Sequence, residues 1–569
     1  MNNNIIIKTV YILIVILAST SCNDDRFFEL ERSPQFPWQT VTEYEKSVLG
    51  AYSCILANAS FATVPEMEQM IDFVESENAR FVVGSVANFA SLEFNGRSFG
   101  TTNAKVDPPF IPCYQAIGEC NSALSFYEQN KGNPFPNAKE SDRINNVNRI
   151  AGELYFLRAY AYFYLVRQYH PPYDPQGKND YTGLPFRPTL PSSMEECLNP
   201  EFFTTAQFYE VIVNDLKKAK QLLPQKYNST TMHASYQYGR VNKYAASAIL
   251  ARVYMLMGKH VGAESAENEY NFIADNGGYD LEPNVFNNFN RSINNFQNSN
   301  KEVIWEFFNS QTQGRNILPA ALSHFMKSPY SRSDLDRRSP LFTNTNASSS
   351  GARGNNWSFG AWPQYSLSHP VLKNKLKWMN EDGSLTLAAK NDKRYQQLYY
   401  YMREYKPTID KTMGEDTLFL SNAAFSGETK PTIWIDKAFR GFEGRRTNYP
   451  VVRFAEVLIH RAAIRFKNGN KKGAADDINR IRKRAWGDKT ISYESSLEYL
   501  TESNITFDAI ANEHIKELSG EGTWILFQQS FRLPIGQPDM PQPAAAVNPP
   551  YSQMRWAIPA TELMFYNSK

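Results

Sequence analysis

The sequence predicts an α fold, a helical scaffold interrupted by one long irregular segment, and three observations predict it. Apolar residues recur at helical spacing through residues 41–279 and again through 451–569. In both halves, paired runs set small residues on one helix against large ones on the next, which closely packed antiparallel helices require. Between them, residues 280–450 lose that period and turn to Asn, Gly, Ser and aromatic residues, with only short β-like runs.

Thr42 to Ala57 opens the scaffold, with Tyr44, Val48, Ala51, Tyr52 and Ile55 at helical spacing. Phe110 to Tyr127 repeats the spacing through Tyr114, Ile117, Asn121 and Leu124. Ile150 to Tyr169 is apolar nearly all round, which marks a central buried helix. His170-Pro171-Pro172 stops it, because proline lacks the N–H a helix needs and disfavours helical backbone at the preceding residue. Phe208 to Leu223 is amphipathic and closes at Pro224. Asn242 to Met257 carries Ala245, Ala246, Ala248 and Ala251 beside Leu250 and Tyr254; Gly258 turns the chain and Val261 to Ala274 returns. Val451 to Phe466 runs into Asn468-Gly469-Asn470, and Lys472 to Ala485 returns. These hairpins resemble tetratricopeptide units, without a sustained repeat of about 34 residues. The β-like runs are Glu302 to Phe308 and Thr432 to Ile435. A loop-rich insertion of such length in a helical scaffold is more often functional than incidental.

The amino terminus reads as an export signal. Lys8 precedes an apolar run from Val10 to Ala18, too short to span a bilayer, which takes roughly 20 apolar residues. Ser19-Thr20-Ser21-Cys22 follows. A signal that stops at small residues and a cysteine marks a bacterial lipoprotein, so residues 1–21 are expected to be removed and Cys22 acylated. Leu17 stands behind the place where the common lipoprotein box carries leucine, here Ser19. Residues 22–40 then form a lipidated tether. Each buried acyl methylene contributes roughly 0.8 kcal/mol, so a multiply acylated cysteine anchors the body without a protein segment in the bilayer. The remaining organisation is an N-terminal helical region (41–279), a loop-rich insertion (280–450) and a C-terminal helical region (451–569).

A net charge of +2 offers no argument for nucleic acid as a partner. Cys54, Cys113, Cys120 and Cys197 form no C-x-x-C pair, and their spacing assigns no disulfide. The seven histidines are never closer than 27 residues, which excludes a metal pair on one helix turn, and no metal or cofactor is expected. Gly96-Arg97-Ser98-Phe99-Gly100 matches the G-x-S-x-G nucleophile elbow. That device needs a strand–turn–helix, and Asp107-Pro108-Pro109 is a poor helix start, so the segment reads as a surface loop. Glu456 and His460, at i,i+4, read as a surface contact. Glu513, Glu517 and Glu521 share one helix face, whereas glycoside hydrolysis needs two carboxyls across a sugar bond, about 5 Å or 6.5–9.5 Å apart. The row reads as structural ion pairs with Arg453, Arg482 or Arg484, and the protein as no enzyme.

The aromatic residues of the insertion point to binding instead. Trp357, Phe359, Trp362 and Tyr365 lie within nine residues, beside Asn355, Asn356 and Gln364. Aromatic faces offer stacking area to sugar CH groups, and side-chain amides supply directional hydrogen bonds to hydroxyls. The competing reading is that these rings pack the insertion against the helices. Asn284, Asn287, Asn288 and Asn290 form a second, weaker amide cluster.

In this order the motifs resemble the SusD/RagB family of outer-membrane nutrient-binding lipoproteins. They are Tyr114-x-x-Ile117-x-x-x-Asn121, Glu153-x-x-Phe156-Leu157-Arg158-Ala159, Asp215-Leu216-x-x-Ala219-x-x-Leu222-Leu223-Pro224 and Gly239-Arg240-Val241. Further on come Arg453-Phe454-Ala455-Glu456-Val457-Leu458, Ile478-Asn479-x-Ile481-Arg482-x-Arg484-Ala485 and Glu513-x-x-x-Glu517-Leu518-x-x-Glu521-Gly522. Two segments depart from the family pattern: Thr523-Trp524-Ile525 after Glu521-Gly522, and His170-Pro171-Pro172 after Tyr169. The resemblance implies a surface-exposed protein, lipid-anchored to a Gram-negative outer membrane. It implies capture of an oligosaccharide for a SusC-like TonB-dependent transporter, or of a peptide in the RagB manner, without chemistry. A surface glycan hydrolase and a purely protein-binding scaffold are the readings from other classes.

Overall fold

The computed structural model describes residues 38–56, 63–81, 97, 107–191, 193–237, 239–289, 300–307, 365–402, 405–406, 418–419, 432–435, 437, 448–539 and 544–566. Two helices open the chain with reciprocal caps. In α1 (Val41–Ile55) the Thr40 hydroxyl accepts from the Glu43 amide while Glu43 accepts from the Thr40 N–H. In α2 (Val64–Val74) Thr63 and Glu66 do the same, with proline in the first turn, where its missing N–H is not needed. The Trp38 ring packs on Tyr44 and Phe126, with ring centres 5.4 and 5.5 Å apart, so the last residues of the expected tether already belong to the body.

After the short strand β1 (Ala79–Phe81) come α3 (Asp107–Gln129) and α4 (Asn148–Tyr169). The expected central helix is α4, which is buried along nearly its whole length and packs against α1, α3 and α5 (Thr205–Leu222). Its arginines stay inside because each meets a carboxylate. Arg158 is 2.7 Å from Asp215 and donates to Asn121, while Arg149 bonds Glu45 and Glu153. Arg240 closes the second group by reaching both of those glutamates. Strands β2 (Thr182–Phe186) and β3 (Glu201–Thr204) pair antiparallel just before α5.

The expected hairpins form as α6 (Lys243–Leu256) with α7 (Ala266–Asn276), and α8 (Phe454–Lys467) with α9 (Lys471–Ala485). The Asp107-Pro108-Pro109 stretch, expected to be a poor helix start, is the first turn of α3, where proline's missing N–H is not needed. In the hairpins two boundaries differ from expectation. The return helix starts at Ala266 rather than Val261, because the Ser265 hydroxyl caps it by accepting from Asn268, and Gly262 before it has φ +114°. Residues 451–453 are strand rather than helix. The strand β8 (Tyr449–Arg453) pairs antiparallel with β4 (Val303–Phe307), and α8 begins only at Phe454.

The described parts of 280–450 are woven into the scaffold. Besides β4, the strand β5 (Tyr365–Leu367) pairs with β1, and β6 (Tyr399–Met402) pairs with β7 (Thr432–Ile435). Trp305, Tyr365, Leu367, Trp378 and Ile433 join the same apolar core as α4 and α8. Trp305 meets Phe156 and Tyr160 of α4 edge-on, at 4.9 and 5.2 Å. The C-terminal part continues with α10 (Phe507–Leu518), α11 (Trp524–Ser530) and a last helix, α12 (Ala560–Tyr566).

Candidate functional site

Of the residues the sequence singles out for binding, Trp357, Phe359 and Trp362 lie outside the described residues, as does the lipidation candidate Cys22. Tyr365 is described, and it is core: its side chain is 0 % exposed in β5, edge-on to the Phe81 ring with ring centres 5.5 Å apart. Its ring faces are covered by protein, so it does not offer a stacking surface. The flanks of the aromatic segment are well defined. Phe307 ends β4, opposite Tyr449, and Tyr365 begins β5, opposite Phe81. Residues 308–364 therefore leave and rejoin the scaffold through two strand pairs. The Asn284 cluster is structural where it is described. Asn284 caps a short turn by accepting from the Phe286 amide, and buried Asn288 accepts from Asn300.

The carboxylate row sits in a buried ionic junction. Arg453, at the end of β8, lies 2.8 Å from Glu521 and 3.1 Å from Glu517, and also bonds Glu302. Glu517 further meets Arg484 at 2.6 Å and Arg394 at 3.4 Å. Glu513 meets Arg394 at 2.6 Å and Arg482 at 2.8 Å. Lys437 reaches Glu521 at 2.6 Å and donates to the carbonyls of Glu517 and Ser519. Burial works to raise these acids, but the arginines outweigh it: Arg394 and Arg482 hold Glu513 at about 2, and Glu517 and Glu521 are lowered as well. With Asp392 on Arg394, five acidic groups face five basic ones, which is why so much charge tolerates the interior. A carboxylate locked to two cations neither donates a proton nor attacks a sugar, so the geometry does not suit acid–base chemistry.

The expected partners Arg453, Arg482 and Arg484 are all present. Arg394, Lys437 and Glu302 were not legible, because nothing local in their segments points toward a helix lying far along the chain. One detail is corrected: Glu521 is not on the helix with its companions. The helix α10 ends at Leu518, and Gly520 and Gly522, with φ of +76° and +80°, turn the chain so that Glu521 reaches back to Arg453.

A second expectation fails more fully. Glu456 and His460 are not a surface contact, since both are buried. Glu456 takes two hydrogen bonds of 2.7 Å from Arg252 of α6. His460 meets the Tyr270 hydroxyl at 2.9 Å and stacks on His514, with ring centres 5.4 Å apart and planes 14° apart. Burial holds both histidines neutral, pushing His514 down to about 3 and His460 well below the usual range. The i,i+4 spacing does put the two on one face of α8, but it says nothing of what covers that face.

Arg97, from the G-x-S-x-G match, serves as a clasp. Its guanidinium donates to the carbonyls of Glu75, Gly536 and Ala545, tying the end of α2 to the C-terminal segment. An open groove of about 420 Å³ lies between α5, α6 and α7. Its Lys217 and Lys220 are each 2.6 Å from a glutamate of the same groove, Glu264 and Glu269. Among the described residues, no group of three or more His, Cys, Asp and Glu is placed to hold a metal ion. No helix of the described residues is long and apolar enough to cross a membrane.

A tetratricopeptide-like helical scaffold carrying an aromatic-rich insertion between two strand pairs is the class this architecture defines. The chain belongs to the SusD family. The model of that family matches residues 217–525, and a second, described as starch-binding associating with outer membrane, matches residues 44–255. A SusD superfamily protein of Bacteroides thetaiotaomicron has the same fold, at a TM-score of 0.63 and 19% identity, over 92% of this chain and 98% of that one. Surface glycan-binding protein A of Bacteroides uniformis is similar at a TM-score of 0.58 and 16% identity, over 92% of this chain and 98% of that one. In sequence, SusD-like protein P2 of Formosa agariphila is 28% identical over 185 residues, 32% of this chain and 30% of that protein. The match thus spans under a third of that relative.

Proposed function

We propose that the protein captures an oligosaccharide at the cell surface, anchored to the outer membrane through Cys22, and hands it to a SusC-like TonB-dependent transporter without cleaving it. The observation that carries this reading is membership of the SusD family across most of the helical body, together with a family description that names starch binding and the outer membrane. One protein of the same fold is a surface glycan-binding protein, which supports the choice of a sugar over a peptide. The arginine-locked state of Glu513, Glu517 and Glu521 supports binding over hydrolysis.

The ligand-facing residues of this reading are Trp357, Phe359 and Trp362, on a segment held by β4 and β5. Stacking sites need aromatic planes presented from a rigid base, and the strand pairs that flank the segment support this reading. Trp357→Ala and Trp362→Ala should leave the melting temperature nearly unchanged while weakening retardation in glycan-containing affinity gels. Early melting with normal retardation would place these rings in the core and the binding site elsewhere.

The anchor is tested separately. Cys22→Ala should move the protein from the membrane fraction to the soluble fraction with its fold intact, because the acyl chains supply the attachment. Retention of the variant on membranes after a high-salt wash would rule out Cys22 as the anchor.

A further inference from the structure

Helix α2 is unusual in what it buries. All eleven of its residues, VPEMEQMIDFV, are withdrawn from solvent, and Glu75 follows directly at its C-terminal end. Glu66, Asp72 and Glu75 are 1 %, 4 % and 4 % exposed. Asp72 is fully used: its two carboxylate oxygens accept from the amides of Trp524 and Ile525, capping α11 in place of Thr523, whose own side chain makes no cap. The other two are different. One carboxyl oxygen of Glu66 and one of Glu75 make no hydrogen bond although both are buried. A buried carboxylate with an unmet oxygen is costly, and a carboxylic acid is far less so. Glu75 also lines a small cavity of about 30 Å³ with Glu68, Asp72, Arg167, Gln529 and Trp556, at the meeting of α2, α4, α11 and the C-terminal segment.

We propose that α2 is a pH-sensitive strut: protonated Glu75 keeps its seam with α4, α11 and the C-terminal segment closed, protonated Glu66 keeps its buried first turn in place, and the strut loosens as the two lose their protons.

The charged and titratable neighbours do not neutralise these two acids. Burial raises Glu66 to about 8, and among the described residues the Thr63 amide and hydroxyl oppose it by favouring the ionised form. Around Glu75, burial dominates again and raises it to about 8; Arg97, Arg167 and the Trp556 indole oppose this, while Asp72 adds to it. Arg97 is itself shared with Glu77, which also bonds Lys375 and Gln528. From α4, Arg167 is engaged by Glu68, which also accepts from the Tyr160 hydroxyl; the Cys113 thiol of α3 lies near Glu68. Helix α11 brings Trp524, Gln528 and Gln529 but no charged side chain. Asp72, raised by burial to about 6, behaves like the pair over a more acid range.

The sign follows from linkage. Each of the two glutamates is raised in the folded protein above its ordinary 4.5, so the folded state keeps protons that the unfolded state releases. Their contribution is complete below about pH 4.5, declines as pH rises, and is gone once pH passes about 8. His170, His460 and His514, held neutral by burial, act in the opposite sense, but only below their ordinary value of 6.5. Between about pH 6.5 and about pH 8 Glu66 and Glu75 each weaken the folding equilibrium roughly tenfold per pH unit; Glu456, also raised by burial, acts in the same sense and the lowered Lys437 and Lys516 in the opposite one, so the glutamine variants identify the share of the pair.

Thermal unfolding of the full-length protein across that interval tests the proposal. The wild-type melting temperature should fall, Glu66→Gln and Glu75→Gln should each remove about half of the fall, and the double variant should be nearly level. A double variant that falls in parallel with the wild type overturns the proposal. If a variant does not fold, hydrogen exchange on the wild type decides. After correction for intrinsic exchange, protection of 64–75 and 524–530 should drop between about pH 6.5 and about pH 8 while that of 454–467 holds. Uniform protection across that interval overturns it equally.

Discussion

Glu517→Gln should destabilise the protein by roughly 3–5 kcal/mol, the cost of breaking a buried ion pair by removing one partner. The carboxylate stands among Arg453, Arg484 and Arg394, with side chains on both sides of each pair at least nine-tenths buried. Glutamine keeps the shape but removes the charge, leaving five cations facing four anions. Chemical denaturation would show the loss as a lower midpoint with an unchanged slope. Removing an arginine at the same time should restore part of the loss, because the charges balance again. If Glu517→Gln instead abolishes a measurable glycan hydrolysis and leaves stability alone, the non-catalytic reading is wrong.

Trp305→Ala should cost a similar amount, roughly 3–5 kcal/mol, by a different mechanism. The indole is 2 % exposed, touches two rings of α4 edge-on, and sits on the strand that receives β8. Its truncation leaves a cavity at the contact between the insertion and the central helix. Because the indole N–H has no hydrogen-bond partner, Trp305→Phe loses volume but no polar contact, and it should recover most of the stability. Equal losses for Ala and Phe would point to a role for the N–H and contradict this account.

How far the sequence speaks depends on the range of each interaction. Helices α4, α5, α6 and α9 were legible because a stripe of apolar residues at helical spacing is a local signal, and each lies within a few residues of its expected span. The strand at 449–453 was not. Val451-Val452 suits the start of a helix as well as a strand, and what decides is β4, nearly 150 residues earlier in the chain. The ionic junction was half legible for the same reason: the three glutamates and Arg453, Arg482 and Arg484 lie on or beside recognisable helices, while Arg394, Lys437 and Glu302 come from the irregular stretch. Tyr365 marks the limit of composition. Counting rings in a loop-rich segment does not tell which face the core, and the first ring after 364 turns inward to meet Phe81.

The two strand pairs at Phe307 and Tyr365 also bear on how such proteins diversify. Both partners of the joints, β8 and β1, belong to the scaffold, so the stretch between the joints is spliced into fixed seats. On the proposed function, the same joints are the two crossover points at which a protein engineer would graft a relative's segment onto this frame.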